Sequence, residues 1–313
     1  MKSTSQLINS YASRLVQGKS LPKFENISGA VELEVASSLD RQDAERDLQD
    51  INSQAKVGYD CSIETARNYA HDNEVRIPFS TSNDIESILS IVRRLATYSV
   101  ANASCGLHVH INASKLVGGN LEKPANIRRL ARLKLALVST CKRWENAYYG
   151  LSSGRNRKIN SDYCKPIDEF EVNLAKRTQT SESLSELASI GKYKLINFNN
   201  LDNRNYHPNE RTIEFRGFAM NSGNNANSFR EPSAQHIETN LFFLFNFLSC
   251  ALFNSRNLDK LRFEPKHPLA KDSMKWFFHH VAKRPQLDRF SNETLVKNIL
   301  AHSFECCERF DRS

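Results

Sequence analysis

The sequence predicts an α+β chain in which one sheet carries polar chemistry on one face and a layer of helices on the other. Two observations predict it. Four short segments alternate apolar and polar residues with a period of two: Val31-Glu32-Leu33-Glu34-Val35, Glu74-Val75-Arg76-Ile77, Leu107-His108-Val109-His110-Ile111 and Thr212-Ile213-Glu214-Phe215-Arg216. Between and after them lie runs of helical period, the longest from Asn126 to Tyr148 with Ile127, Leu130, Leu133, Leu137, Val138, Cys141 and Trp144 along one stripe. Repeats, low-complexity tracts and clear linkers are missing from the sequence, so the expectation is one domain with helical appendages. Its parts are an N-terminal arm over 1–23, a central domain over 24–255 and a helical extension over 256–313.

In chain order, residues 1–23 read as a polar arm or short helix ending at Leu21-Pro22. Asp40 to Ala55 is charged with Leu48 and Ile51 at helical spacing. Val57 to Asp60 reads as a turn into a strand-like Cys61-Ser62-Ile63-Glu64. Ser82-Asn83-Asp84 with Glu86 predicts a capped helix through Ile85, Ile88, Leu89, Ile91, Val92 and Leu95. The histidine strand follows, then the long helix and a Gly/Ser/Arg loop over 149–159. Ser181 to Ile190 reads as a short helix, and an Asn-rich stretch leads into the Glu214 strand. Residues 220–232 are an Asn/Ser/Gly loop of substrate-loop length. His236 to Phe253 predicts a buried helix: its apolar core, Leu241 to Phe253, is too short to span a membrane. The tail is helical, with Trp276-Phe277-Phe278 as a local core.

Composition is that of a globular protein, with 40% hydrophobic and 25% charged residues in 313, enough for a sizeable core. Seven cysteines, at 61, 105, 141, 164, 250, 306 and 307, form no CxxC pair or framework, and the first residues lack a signal-peptide pattern. Free thiols in a reducing cytoplasm are expected, with Cys306-Cys307 read as packing. A net charge of +8 points to anionic partners. The excess is densest from Arg128 to Lys158 and is read as a solvated helix face and a basic loop, with nucleic-acid binding as the lesser reading. There is no GxxxxGK[ST] loop and no GxGxxG before a helix.

If the four alternating segments share a sheet, one face gathers Glu32, Glu34, Glu74, Glu214, His108, His110, Arg76 and Arg216. The alternation of any one segment is equally that of a solvated face. Four carboxylates together repel one another and call for cations between them, either metal ions or the two arginines. An oxygen-rich donor set favours Mg²⁺ or Mn²⁺, and Mg²⁺ usually arrives with phosphates.

These motifs resemble the amidoligases, carboxylate–amine ligases with the glutamine synthetase and glutamate–cysteine ligase type of fold. The matching residues are Glu32-x-Glu34, Asp60-x-Ser62-Ile63-Glu64, the Glu74 strand ending at Pro78, and Cys105-Gly106-Leu107-His108-Val109-His110. Arg157 before Tyr163-Cys164-x-Pro166, Tyr193-x-x-x-Asn197 and Thr212-Ile213-Glu214-Phe215-Arg216 complete the series, over about residues 29–250. The resemblance implies a mostly antiparallel sheet with a concave catalytic face. It also implies an ATP-dependent ligase that activates a carboxylate as an acyl phosphate and joins it to an amine. On the same ground Glu32, Glu34, Glu74 and Glu214 would hold Mg²⁺ and His108 and His110 would assist at metal or phosphate. Asn197 would help hold the nucleotide. Arg216 and Arg157 would steady phosphoryl or carboxylate groups, and Asp60 and Glu64 would receive the amine or its proton. Tyr163, Cys164 and Asn197 also read as structural residues, Asp60 as a turn cap and His110 as a histidine bonded to backbone.

Two other classes compete. His-x-His on a strand also opens metal-dependent amidohydrolase barrels, which require eight β/α units. A catalytically inactive ligase fold serving as a structural or nucleic-acid-binding protein is the other; buried like charges argue against decay. The arginine-rich loop favours an acidic carboxylate donor. No membrane association is expected.

Overall fold

The computed structural model describes residues 3–16, 27–80, 84–151, 164–189, 194–220, 228–281 and 292–312. The four alternating segments are strands, and their alternation is the reason the sheet has two chemically different faces. They are β1 (Gly29–Ser37), β3 (His71–Phe79), β5 (Gly106–Asn112) and β7 (Thr212–Ala219), joined by the short β2 (Lys56–Tyr59), β4 (Ser99–Val100) and β6 (Ile196–Asn197). Among the described residues these seven strands form one sheet in the order β2-β3-β1-β5-β7-β6, with β4 paired to the end of β1, every pairing antiparallel. That arrangement is incompatible with the parallel barrel of the amidohydrolase reading.

The apolar half of the alternation is the core. Val31, Leu33, Val35, Val75, Ile77, Leu107, Val109, Ile111, Ile213 and Phe215 are all fully buried. Opposite them lies a helical layer. It includes α3 (Ile85–Leu95), the 27-residue α5 (Pro124–Gly150), which follows the short α4 (Ala113–Val117), and α8 (Ala234–Asn254). Aromatic rings join the layers: Tyr148 of α5 stacks on Phe218 of β7 at 4.5 Å, and Phe247 of α8 meets Tyr148 and Phe215 edge-on. Two glycines permit the close approaches. A Cβ on Gly29 would lie 1.8 Å from the His110 carbonyl oxygen, and one on Gly217 would lie 2.4 Å from the Tyr148 ring.

Several elements depart from the sequence reading. Of the two readings of the N-terminal segment the helix holds, as α1 (Thr4–Val16), but it is no solvated arm: it buries Tyr11, Ala12 and Leu15 against the C-terminal helices. The helix capped by Asp40 is α2 (Arg41–Gln49) and stops six residues short of Ala55. Lys56–Tyr59 is an edge strand rather than a turn. Conversely, 61–64 is a turn rather than a strand, because Asp60 Oδ1 accepts the Ser62 amide at 2.8 Å and bends the chain. An unexpected helix, α6 (Glu169–Arg177), begins at a capping box in which Asp168 and Glu171 each accept the other's backbone N–H. The helix expected over 181–190 shrinks to the single turn α7 (Leu184–Leu187).

The tail folds as α9 (Ala270–Val281) and α10 (Glu293–Arg312), packed on α5, α8 and α1. By length and composition α8 could cross a membrane, but 83% of its most apolar window is buried inside the molecule, which makes it a core helix. The Ser82-Asn83 cap and most of the loops over 149–162 and 220–232 lie outside the described residues.

One buried charge in this layer has a measurable consequence. Lys134 of α5 is fully buried, its Nζ 5.6 Å from the Phe198 ring, and it meets no hydrogen-bond partner among the described residues. Burial lowers its pKa from 10.5 to about 8. Below pH 8 the fold carries a charged amine in an apolar site, at a cost on the order of 3 kcal/mol. The cost fades as pH rises from 8 toward 10.5, where the unfolded chain alone still binds the proton, so stability rises with pH across that window. Lys134→Met is expected to raise the urea midpoint at pH 7 and to flatten that rise; a lower midpoint would mean that the ammonium is compensated.

Candidate active site on the polar face of the sheet

Register decides which polar side chains meet. Glu32 pairs with Arg76 on one side and His108 on the other; Glu34 pairs with Glu74; His110 pairs with Glu214, and Glu214 with Asn197. Ala30 stands opposite His110, so a small side chain leaves room beside the imidazole. Between β5 and β7 the register slips from Leu107–Phe218 to Val109–Phe215, giving β7 one extra residue. This bulge sets Arg216 and Gly217 against His108 and aims the guanidinium at the carboxylates.

The resulting contacts form one network. Arg76 lies 3.0 Å from Glu32 and 2.7 Å from Glu74, and Arg216 pairs with Glu214. His108 Nδ1 is buried among three carboxylates, 3.5 Å from Glu34 and 3.7 Å from Glu32 and Glu214. His110 Nε2 approaches Glu32 at 3.1 Å, while its Nδ1 lies 3.2 Å from Thr212 Oγ1 and 3.5 Å from Asn200. Asn197 donates to Glu214 at 2.6 Å and accepts from the Asn199 amide at 2.9 Å, so both ends of its amide are engaged. Glu34 accepts the Gly106 amide and thereby ties β1 to the start of the histidine strand.

Burial among like charges separates the titrations. Burial alone would raise the Glu32 pKa, but hydrogen bonds and charges from His108 and His110 outweigh it and hold the group far below the usual carboxylate range. Burial raises Glu74, and the neighbouring Glu32, Glu34 and Asp60 raise it further against the pull of Arg76. For His108, burial works against the imidazolium, yet Glu34 and Glu32 more than compensate and raise its pKa. Asp60 is lowered: burial opposes ionisation, and the Ser62 hydrogen bonds overcome it.

On this face, two groups of donor atoms have metal-ligand spacing: Glu32, His108 and Glu214, and Glu34, Asp60 and Glu74, each set within 4.8 Å of one another. All of them except Glu34, which lies beneath, border an open cleft of about 490 Å³, which Arg76, Arg216 and His110 also line.

Of the residues singled out in the sequence, Glu32, Glu34, Glu74, Glu214, His108, His110, Asn197, Arg216 and Asp60 are brought together. Glu64 is not. It is exposed, with its carboxylate taken by Asn102 at 2.9 Å and its amide by Ser104. Arg157, Tyr163 and Tyr193 lie outside the described residues. Cys164 is buried and its carbonyl accepts the Tyr149 hydroxyl at 2.7 Å, a structural contact.

The cleft also contains Asn200, Tyr206 and Arg211 from the stretch between β6 and β7, which the sequence reading left without a role. Its asparagine density was the available signal. A second cavity of about 500 Å³, where Arg129, Arg132 and Arg256 surround Leu116, Leu133 and Leu252, has no carboxylate or histidine in its lining and so lacks the groups for acid–base or metal chemistry.

The family model described as "Putative amidoligase enzyme" matches residues 9–229, about 70% of the chain. The chain belongs to the amidoligase family. The match includes all seven strands, and with them every residue of the network, and ends before α8. Amidoligase names a ligase-type enzyme. No curated protein and no solved structure matches the chain.

The imidazole of His108 should report the electrostatics of this amidoligase cleft directly. In metal-free protein its NMR titration is expected to run above the ordinary value of about 6.5. Glu34→Gln removes the nearest negative charge and is expected to lower that pKa by about one unit or more. An unchanged titration would mean that Glu34 is not what keeps the imidazole charged.

Proposed function

We propose that the chain is an ATP-dependent carboxylate–amine ligase with the glutamine synthetase type of catalytic sheet, working on the polar face through an acyl phosphate. The observation that carries this reading is the set of donors Glu32, Asp60, Glu74, His108 and Glu214 lining a solvent-open cleft, with Glu34 grouped with Asp60 and Glu74 and with Arg216 also in the lining. A carboxylate is a poor electrophile. ATP makes it reactive when its oxygen attacks the γ-phosphorus and the bond to the β-phosphate oxygen breaks, releasing ADP. The amine nitrogen then attacks the acyl carbon, phosphate leaves with the C–O bonding pair, and the nitrogen gives up a proton.

The donor set fits Mg²⁺ or Mn²⁺. Five of the six ligands are carboxylates, and the acids outnumber the guanidinium groups that now hold them. Bound there by Glu32, Glu214 and His108 and by Glu34, Asp60 and Glu74, the cation would neutralise phosphate charge and align the transferred group. The protein's own side chains do the rest. Arg216 is placed to pair with the moving phosphoryl group or bidentately with the carboxylate donor. Asp60, kept ionised by Ser62, adds negative charge that attracts the incoming amine. Arg76 bridges Glu32 and Glu74 and positions both, and Asn197 does the same for Glu214. Arg211 adds positive charge to the cleft, which favours an acidic donor such as a glutamyl or aspartyl group.

The test is ADP release from purified protein with Mg²⁺-ATP and pooled amino acids and acidic peptides. Substrate-dependent release is expected, falling at least about a hundredfold in Glu214→Gln. Asn197→Ala, which leaves the carboxylate in place but unsupported, should fall by roughly 10–100-fold. Absence of turnover in every pool, together with no binding of Mg²⁺-ATP, would overturn the ligase reading.

A further inference from the structure

A second set of metal-type ligands lies away from the polar face and beyond the residues that the family match covers. His236 stands in the first turn of α8, its amide capped by Ser233 Oγ at 3.2 Å. His302 and Cys306 are four residues apart on α10, the spacing that stacks two side chains on one helix face. All three are buried, at 1%, 8% and 6% exposure. His236 Nδ1 lies 3.2 Å from His302 Nε2, and Cys306 Sγ lies 3.6 Å from His302 Nε2 and 3.9 Å from His236 Nδ1.

Those three separations can be compared with a coordination polyhedron. Zinc–nitrogen bonds of about 2.0–2.1 Å and a zinc–sulfur bond of about 2.3 Å, at tetrahedral angles, give edges of about 3.3 Å between nitrogens and about 3.6 Å between nitrogen and sulfur. The triangle formed by His236, His302 and Cys306 has nearly those edges. The two imidazole planes stand at 79°, so the rings meet edge to face instead of stacking. Arg309 Nη2 donates to Cys306 Sγ at 3.5 Å, a hydrogen bond that a thiolate accepts better than a thiol and that suits the outer sphere of a metal-bound sulfur. As a hydrogen-bonded trio alone, the group would supply one N–H···N bond and a weak thiol contact.

We propose that His236, His302 and Cys306 form a zinc site that clips the C-terminal helix α10 to the start of α8. The donor chemistry selects the ion: two imidazoles and one thiolate favour a zinc-class cation over the Mg²⁺ suited to the carboxylate face. Three protein ligands leave a fourth position for water or another small ligand. The site joins the last helix to the helix that follows directly from the Glu214 strand, and so couples the C-terminal tail to the sheet.

The experiment uses the full chain. Zinc is measured by mass spectrometry after exhaustive dialysis, and Co²⁺ is then substituted as a spectroscopic probe. About one retained zinc per chain is expected, with Co²⁺ giving tetrahedral visible bands and a thiolate-to-cobalt charge-transfer band in the near ultraviolet. Cys306→Ser should abolish the charge-transfer band and the retained zinc, whereas Glu214→Gln should change neither. Should the serine variant fail to fold by circular dichroism, His302→Gln carries the same readouts. A wild-type protein that takes up no zinc, or a cobalt spectrum without the thiolate band, overturns the proposal. Because the band requires sulfur, ions bound at the carboxylate face cannot produce it.

Discussion

The gathering of like charges on one face of one sheet is the constraint on which the rest of this structure depends. Glu32, Glu34, Glu74 and Glu214 are all buried or nearly so, and a buried carboxylate without a partner is costly. The fold meets that cost with Arg76, His108 and the Gly106 backbone amide, supplied to Glu32 and Glu34 from the strands on either side of β1, and with Arg216, two residues along β7 from the Glu214 it holds. The pairings between strands require register correct to the residue, because a slip of one position would turn the acids into the core.

Register is in turn secured from the opposite face. Phe215 and Phe218 lock β7 against Tyr148 and Phe247, and the bulge between them is what points Arg216 toward Glu214 and His108. Gly217 is needed where that bulge meets the Tyr148 ring, and Gly29 where β1 passes under the His110 carbonyl. The apolar layer therefore does more than stabilise. It fixes the positions of the acids so that the donor atoms of Glu32, His108 and Glu214, and of Glu34, Asp60 and Glu74, lie within 4.8 Å of one another.

Much of this was legible in the residues themselves. Strict alternation in four segments gave the faces of the sheet, and the types of the exposed set gave the cleft. What could not be read was set by tertiary contact. Lys56–Tyr59 is a strand only because Glu74 and its neighbours offer a free edge, and Glu64 leaves the site because Asn102 and Ser104 claim it. Asn200 and Tyr206 enter the cleft through a loop whose path no periodicity encodes. Cys306 read as packing, since its partners His236 and His302 belong to two helices that only the folded chain brings together. The capping box at Asp168 and Glu171 is different: it was present in the residues and marks α6 without ambiguity.

The two histidines of one strand illustrate how far identical chemistry can be divided by position. His108 is fully buried and surrounded by Glu32, Glu34 and Glu214, so its proton is part of the charge balance of the site. His110, one pleat further toward solvent, is held by Thr212 and Asn200 on one nitrogen and faces Glu32 with the other. In the ligase reading a cation arriving at Glu32 and Glu214 competes with the proton on His108, since the imidazole ligates only when neutral. Binding of the cation and loss of that proton are then one event, and the resting site is a pre-neutralised form of the loaded one.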